Sequence, residues 1–316
     1  MEDNCKKSVV ILTGPTAAGK TSLSIKLAKT INGEIISADS MQVYKGMNIG
    51  TAKISASEMD GVTHHLIDVI DPADEFNVMI FKHMADECIA KIHAKGKIPV
   101  LVGGTGFYIQ AVLKDVDFTD YPEDPGIKKE LDDHLEAHGP EGLYERLLKA
   151  DPEYAATLHQ NNIKRVYKAL YHFLMTGEKY SDYNNREAER ESPFNYAYFV
   201  LNMDRDKLYE RIDMRVDKMI GDGLVDEVKK LKDAGMTRDM VSMQGLGYKE
   251  VIDYLDGRYS YDEMVYTLKR DTRHFAKRQL TWFKRENDVT WIDKTEKSDE
   301  ELLDTIINIL RKKEII

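Results

Sequence analysis

The sequence predicts an α/β fold: a parallel sheet flanked by helices, with an all-helical insertion domain set into it. Three observations carry this. Up to about residue 115, short apolar runs alternate with helical patterns of ten or more residues, the arrangement that joins parallel strands by crossovers. A glycine-rich loop, "GPTAAGKTS", follows directly on the first apolar run. From about 126 to 196 every pattern is helical, and strand character returns only at "NYAYFVLNMD".

The elements follow in order. "SVVILT" (8–13) reads as a short buried strand, and a helix runs from about 21 to 30 behind the glycine loop. "GEIISADS" is a second strand and "HHLIDVI" a third. "FNVMIFKHMADECIAKIHAKG" has helical spacing, with Phe81, Met84, Cys88, Ile89 and Ile92 on one side and Gly96 ending it. "KIPVLVGGTG" is a strand running into a glycine turn. The acidic, proline-containing "DVDFTDYPEDPG" marks a boundary, so that 117–196 forms the helical insertion and 1–116 with 197–316 the core. Long helices are expected at 207–221, 223–234, 261–285 and 299–312.

Composition bounds the function classes. The chain has 316 residues and a formal charge of −10, which taken alone argues against nucleic-acid binding. No apolar run approaches the roughly 18 residues of a membrane helix, and "MEDNCKKS" lacks the apolar centre of a signal peptide. Cys5 and Cys88 stand alone, which argues against a zinc site or disulfides and suits a reducing cytoplasm. Nothing in the pattern demands more than a monomer.

The glycine-rich loop matches G-x-x-x-x-G-K-[ST] between a strand and a helix, the context of a P-loop NTPase-like core. Gly14, Pro15, Thr16, Ala17, Ala18, Gly19, Lys20 and Thr21 form it. Its glycines let backbone N–H groups converge on phosphate oxygens, the helix N-terminus adds partial positive charge, and Lys20 neutralises a phosphate. Thr21 offers a hydroxyl to Mg²⁺. Read alone, the motif gives binding of a di- or triphosphate, ATP being an inference from the motif only, and does not say which molecule carries the phosphates. Ligands of open α/β sheets sit at the carboxyl ends of the strands. There the second strand delivers Asp39, and the strand at 97–103 delivers Gly103, Gly104 and Thr105. Asp39 suits a general base, a Mg²⁺ ligand through water, or a plain turn cap.

"LKRDTRHFAKRQLTWFKR" (268–285) resolves the charge puzzle. Lys269, Arg270, Arg273, Lys277, Arg278, Lys284 and Arg285 are opposed within it only by Asp271, while Leu268, Phe275 and Trp282 recur every seven residues as a buried edge. Such a helix can lie along a phosphate backbone. A second basic stretch, Lys164, Arg165, Val166, Tyr167 and Lys168, lies in the insertion, and "MQGLGYKE" places two glycines beside Gln244, Tyr248 and Lys249.

Together "GPTAAGKT", "DSMQVYKGMNIGTAK", "HHLIDVIDP", "GKIPVLVGGTGFYI", "NNIKRVYKAL", "GYKE" and "TRHFAKRQLTWF" resemble, in order and over about residues 8–292, the tRNA isopentenyltransferase (dimethylallyltransferase) family in its bacterial form. The resemblance implies transfer of a dimethylallyl group from dimethylallyl diphosphate to the exocyclic amine of the adenosine 3′ to the anticodon of tRNA, with pyrophosphate leaving. It implies that the loop and a Mg²⁺ held by Thr21 bind the donor's diphosphate. Asp39 then matches the general base, and Thr105 and Lys20 the other catalytic positions. The tRNA contacts it implies are Asp39, Ser40, Met41 and Gln42; Lys128; Lys164, Arg165, Val166, Tyr167 and Lys168; Gln244, Gly245, Leu246, Gly247, Tyr248 and Lys249; and Arg273, Lys277 and Arg278. Lys168 stands where arginine is frequent in the family, exchanging a bidentate donor for a point charge. The rival reading is a P-loop small-molecule kinase, with Arg186 and Arg190 as lid arginines.

Overall fold

The computed structural model describes residues 6–116 and 124–316. Cys5 and most of the acidic boundary segment lie outside the described residues. Strand β1 (Ser8–Thr13) is fully apolar from Val9 to Leu12, and all four side chains are completely buried. Each contributes roughly 1.5–3 kcal/mol by leaving water. Helix α1 (Lys20–Thr30) follows the glycine loop and β2 (Gly33–Ala38) follows α1. Then come β3 (His64–His65), α2 (Val78–Ala94), β4 (Ile98–Gly103) and α3 (Gly106–Leu113). After the insertion, β5 (Asn195–Asn202) leads to α8 (Arg205–Gly221), α9 (Leu224–Asp233), α10 (Tyr248–Leu255), α11 (Tyr261–Phe283), β6 (Val289–Asp293) and α12 (Asp299–Lys312).

The sheet has six strands in the order β3-β2-β4-β1-β5-β6, and every pairing is parallel. Two apolar layers cover it. One packs α2, α3, α10 and α11 against Ile36, Leu101 and Tyr198; the other packs α1 and α12 against Val10, Leu12 and Phe199. Because β1 sits centrally, its carboxyl end lies between those of β4 and β5 and delivers the glycine loop to the middle of the sheet's edge. No helix among the described residues is long and apolar enough to cross a membrane.

The chain divides into two compact units, Met1–Leu113 with Pro193–Ile316, and Lys114–Ser192. The second is helical throughout its described residues: α4 (Pro125–Ala150), α5 (Pro152–Ala155), α6 (Ile163–Thr176) and α7 (Tyr180–Glu189). Helix α4 breaks at Gly139, whose φ of 66° precedes Pro140, so it consists of two segments. Leu131, Leu143, Leu147, Val166 and Leu170 form the core of this unit.

Four elements differ from the sequence reading or are missing from it. The third strand shrinks to two residues because Leu66 and Asp68 take positive φ (62° and 55°), which ends the pairing; only an isolated bridge, Tyr44 to Ile70, remains of its second half. Beyond the "GGTG" turn the chain forms helix α3, and "GYKE" begins helix α10, neither of which the sequence reading contains. Strand β6 went unread because only Ile292 of its five residues is buried.

Candidate active site

The phosphate loop turns sharply between β1 and α1. Gly19 caps α1 with a left-handed backbone (φ 81°), and Ala17 takes the same region at φ 63°, uncommon for a residue with a Cβ. Gly14, Pro15 and Ala18 are buried behind the loop, whereas Thr16, Ala17, Gly19, Lys20 and Thr21 line a cavity of about 260 Å³. Lys20 folds back so that its ammonium donates to the carbonyls of Gly14 (2.9 Å) and Pro15 (2.8 Å). Burial lowers its pKa to about 8, helped by the charge of Arg215 and opposed by Asp39. A polyanion would relieve that crowding of positive charge.

Two arginines of α8, Arg211 and Arg215, complete the cationic wall. Arg215 Nη1 donates to the Thr16 hydroxyl at 3.2 Å. From α11, Gln279 accepts the Thr16 amide at 2.8 Å and donates to the Gly104 carbonyl at 2.9 Å. Beyond the loop, Lys294 donates to the Gly19 carbonyl at 3.1 Å and pairs with Asp299. None of these four residues was singled out in the sequence. Arg211 and Arg215 sit in an amphipathic helix where charge reads as solvated face, and Gln279 sits inside a run dominated by cations.

Asp39 follows β2 at the next strand end. Its Oδ1 accepts the amides of Met41 (2.9 Å) and Gln42 (3.3 Å), so the turn-cap reading holds for that oxygen. Oδ2 takes no hydrogen bond among the described residues. Asp39 borders the first cavity and also a second, of about 400 Å³, and the two share Thr16, Thr51, Arg215, Phe275 and Gln279 as a common wall. Thr105 opens onto the second cavity just ahead of α3, held by its amide's bond to the Ala38 carbonyl (3.3 Å). The rest of that wall is largely apolar: Met41, Phe76, Tyr108, Val216, Met219, Leu246 and Leu268. Ser40, Gly50, Val241, Gln244, Gly245, Lys249, Thr272 and Arg278 complete it, while Gln42 lines the first cavity.

Other residues singled out in the sequence lie elsewhere. Tyr248 is completely buried, with its hydroxyl on Glu227, and Gly247 is buried at the start of α10, so neither residue lines the cavities. Arg273 pairs with Asp213 and Lys269 with Asp217, both on α8, so the basic helix is opposed by more than Asp271; Lys277 is exposed. The buried edge of α11 runs through Met264, Leu268, Thr272, Ala276, Gln279 and Phe283. Phe275 instead faces the cavities and is only partly buried, as is Trp282.

In the helical unit, Lys164, Arg165 and Lys168 are exposed on α6, with the Lys168 ammonium 5.8 Å from the Tyr180 ring centre. The Tyr167 hydroxyl donates to the Lys128 carbonyl at 3.1 Å. Val166 is fully buried in that unit's core, so its side chain packs rather than reaching outward. Arg186 pairs with Glu178, and Arg190 pairs with Glu187 and donates to the Asp115 carbonyl.

The IPP transferase family model matches residues 42–286. The chain belongs to the IPP transferase family. A tRNA dimethylallyltransferase of Lachnoclostridium phytofermentans is 59% identical over 309 residues, 98% of this chain and 99% of that protein. Among solved structures, the full-length tRNA isopentenylpyrophosphate transferase of Bacillus halodurans is 46% identical, with a TM-score of 0.75 over 98% of this chain and 96% of that one. A eukaryotic dimethylallyltransferase acting on tRNA is 31% identical, with a TM-score of 0.83 over 96% of this chain and 78% of that one. The kinase reading finds no support among these IPP transferase relatives. Among the described residues no cluster of three or more His, Cys, Asp or Glu side chains could hold a metal on its own.

Proposed function

We propose that this chain transfers a dimethylallyl group from dimethylallyl diphosphate to the exocyclic amine of the adenosine 3′-adjacent to the anticodon in tRNA, releasing pyrophosphate. One observation carries the reading. A cationic cavity at the phosphate loop opens into a larger, mostly apolar one, and Asp39 borders both.

The diphosphate belongs in the first cavity, against the loop amides, Lys20, Arg211 and Arg215. These groups stabilise the negative charge that grows on the leaving oxygen as the allylic C–O bond breaks. The apolar walls of the second cavity suit the prenyl chain and the face of an adenine. The amine's lone pair attacks the allylic carbon, and its proton passes to Asp39, whose Oδ2 is uncommitted. Thr105, which lines the same cavity, would hydrogen-bond the reacting groups. An adenosine stacked in an anticodon loop must first leave its stack, at a few kcal/mol.

The residues present fit a Mg²⁺ ion that keeps most of its shell as phosphate oxygens and water. Thr21 lines the cationic cavity with a hydroxyl that takes no partner among the described residues, and Asp39 faces it. When bound, the ion would supply further neutralisation of the diphosphate. Lys164, Arg165 and Lys168 in the helical unit, with Lys277 and Arg278 on α11, supply cationic surface for the tRNA backbone. A cytoplasmic monomer suits the same reading.

The test is the mass of an anticodon stem-loop after incubation with the protein, Mg²⁺ and dimethylallyl diphosphate. Gain of one dimethylallyl group supports the transferase. No gain, with ATP-dependent phosphorylation of a small acceptor instead, would return the kinase.

A further inference from the structure

One side chain joins the two halves of the site. Gln279 is 6% exposed, and both ends of its amide are committed: Oε1 accepts the Thr16 N–H at 2.8 Å and Nε2 donates to the Gly104 carbonyl at 2.9 Å. The partners lie 263 and 175 positions away in sequence, one in the phosphate loop and one in the turn immediately before Thr105. A Cβ at Gly104 would stand 2.1 Å from Nε2, so the glycine there is what lets the bridge close. Gln279 itself borders both cavities.

We infer that Gln279 is a positioning residue, which ties the phosphate loop to the Thr105 turn and so fixes the distance between the bound diphosphate and the groups that receive the prenyl carbon. The residue type follows from the partners. One end meets an N–H and the other a carbonyl, so the side chain must both accept and donate. A carboxylate would face the Gly104 carbonyl with no proton to give. Displacement of reacting groups by about 1 Å lowers a rate by about a hundredfold, which gives the bridge leverage over kcat through the loop and the turn that it joins. The inference rests on the transferase reading above.

The experiment compares wild type with Gln279→Met and Gln279→Glu by steady-state transfer to the stem-loop, with folded fraction measured by thermal unfolding. In Gln279→Met, kcat per folded enzyme is expected to fall by about a hundredfold while KM for dimethylallyl diphosphate moves less than about threefold. Gln279→Glu is expected to lose similarly at about pH 8. It should regain activity relative to wild type from about pH 6 downwards, because burial raises a carboxyl above its usual value of about 4.3 and the protonated form again donates to Gly104. A structural role alone would not produce that regain. The inference is overturned if kcat per folded enzyme stays within about twofold of wild type in both variants, or if the whole loss lies in KM. It is also overturned if the Glu variant shows no relative recovery on acidification. Absence of transfer by the wild type would instead overturn the reading beneath it.

Discussion

Glu227 on α9 accepts the hydroxyl hydrogen of Tyr248 on α10 at 2.7 Å. The same carboxylate accepts three consecutive backbone amides, those of Asn48 (2.9 Å), Ile49 (2.8 Å) and Gly50 (3.1 Å). One side chain therefore fastens the loop whose next residue, Thr51, borders both cavities. Burial pushes the Tyr248 hydroxyl far above its usual range, and the neighbouring Glu227 charge adds to this, so it remains a donor. Tyr248→Phe is expected to lower unfolding stability by about 2 kcal/mol, the usual worth of a hydrogen bond to a charged acceptor. Chemical denaturation of the two proteins checks it.

Glu34 gives a pH dependence. Its burial raises the pKa, but hydrogen bonds from Lys97, His65 and Lys95 outweigh that and bring it down to about 2. A carboxyl depressed in the folded state stabilises above its unfolded value and loses that stabilisation as pH falls through the folded value. Between about pH 4.5 and about pH 2 the protein should therefore lose about 3 kcal/mol on account of this group. Denaturant midpoints measured down that range should fall less steeply in Glu34→Gln, from a lower starting stability.

Lys20 carries the corresponding statement for ligand binding. With its pKa brought down to about 8 by burial and by Arg215 against the pull of Asp39, it is half-charged near that pH in the free protein. A bound diphosphate favours the charged form, so binding should take up a proton around and above pH 8, and affinity should weaken as pH rises further. Calorimetry of pyrophosphate binding in buffers of different ionisation enthalpy reads the uptake. Lys20→Met should abolish it.

Gly103 tests the sheet beneath the site. A Cβ there would lie 2.1 Å from the backbone carbonyl oxygen of Ala38 on the neighbouring strand, and backbone cannot swing aside as a side chain can. Gly103→Ala is expected to destabilise the fold by about 3 kcal/mol or more, read by thermal unfolding.

The parts of this site that declare themselves in sequence are local. The strand, glycines, lysine and threonine of 8–21 specify a conformation by their own chemistry; Asp39 follows directly on one apolar strand and Thr105 comes one glycine after another. What stayed hidden depends on contacts between distant positions. Arg215 meets Thr16 across 199 residues, and Gln279 meets it across 263; neither has a local signature. Asp213 and Asp217, which pair with Arg273 and Lys269, likewise come from another helix. Helices α3 and α10 are eight residues each, too short for periodicity to separate them from strand or turn.

The central claim is that Asp39 removes the proton from the attacking amine, and Asp39→Asn tests it most directly. The substitution keeps an oxygen for the Met41 and Gln42 amides while removing the base. Single-turnover transfer to the stem-loop should slow by about 10²–10⁴, with pyrophosphate binding retained. A rate within about twofold of wild type would contradict the assignment.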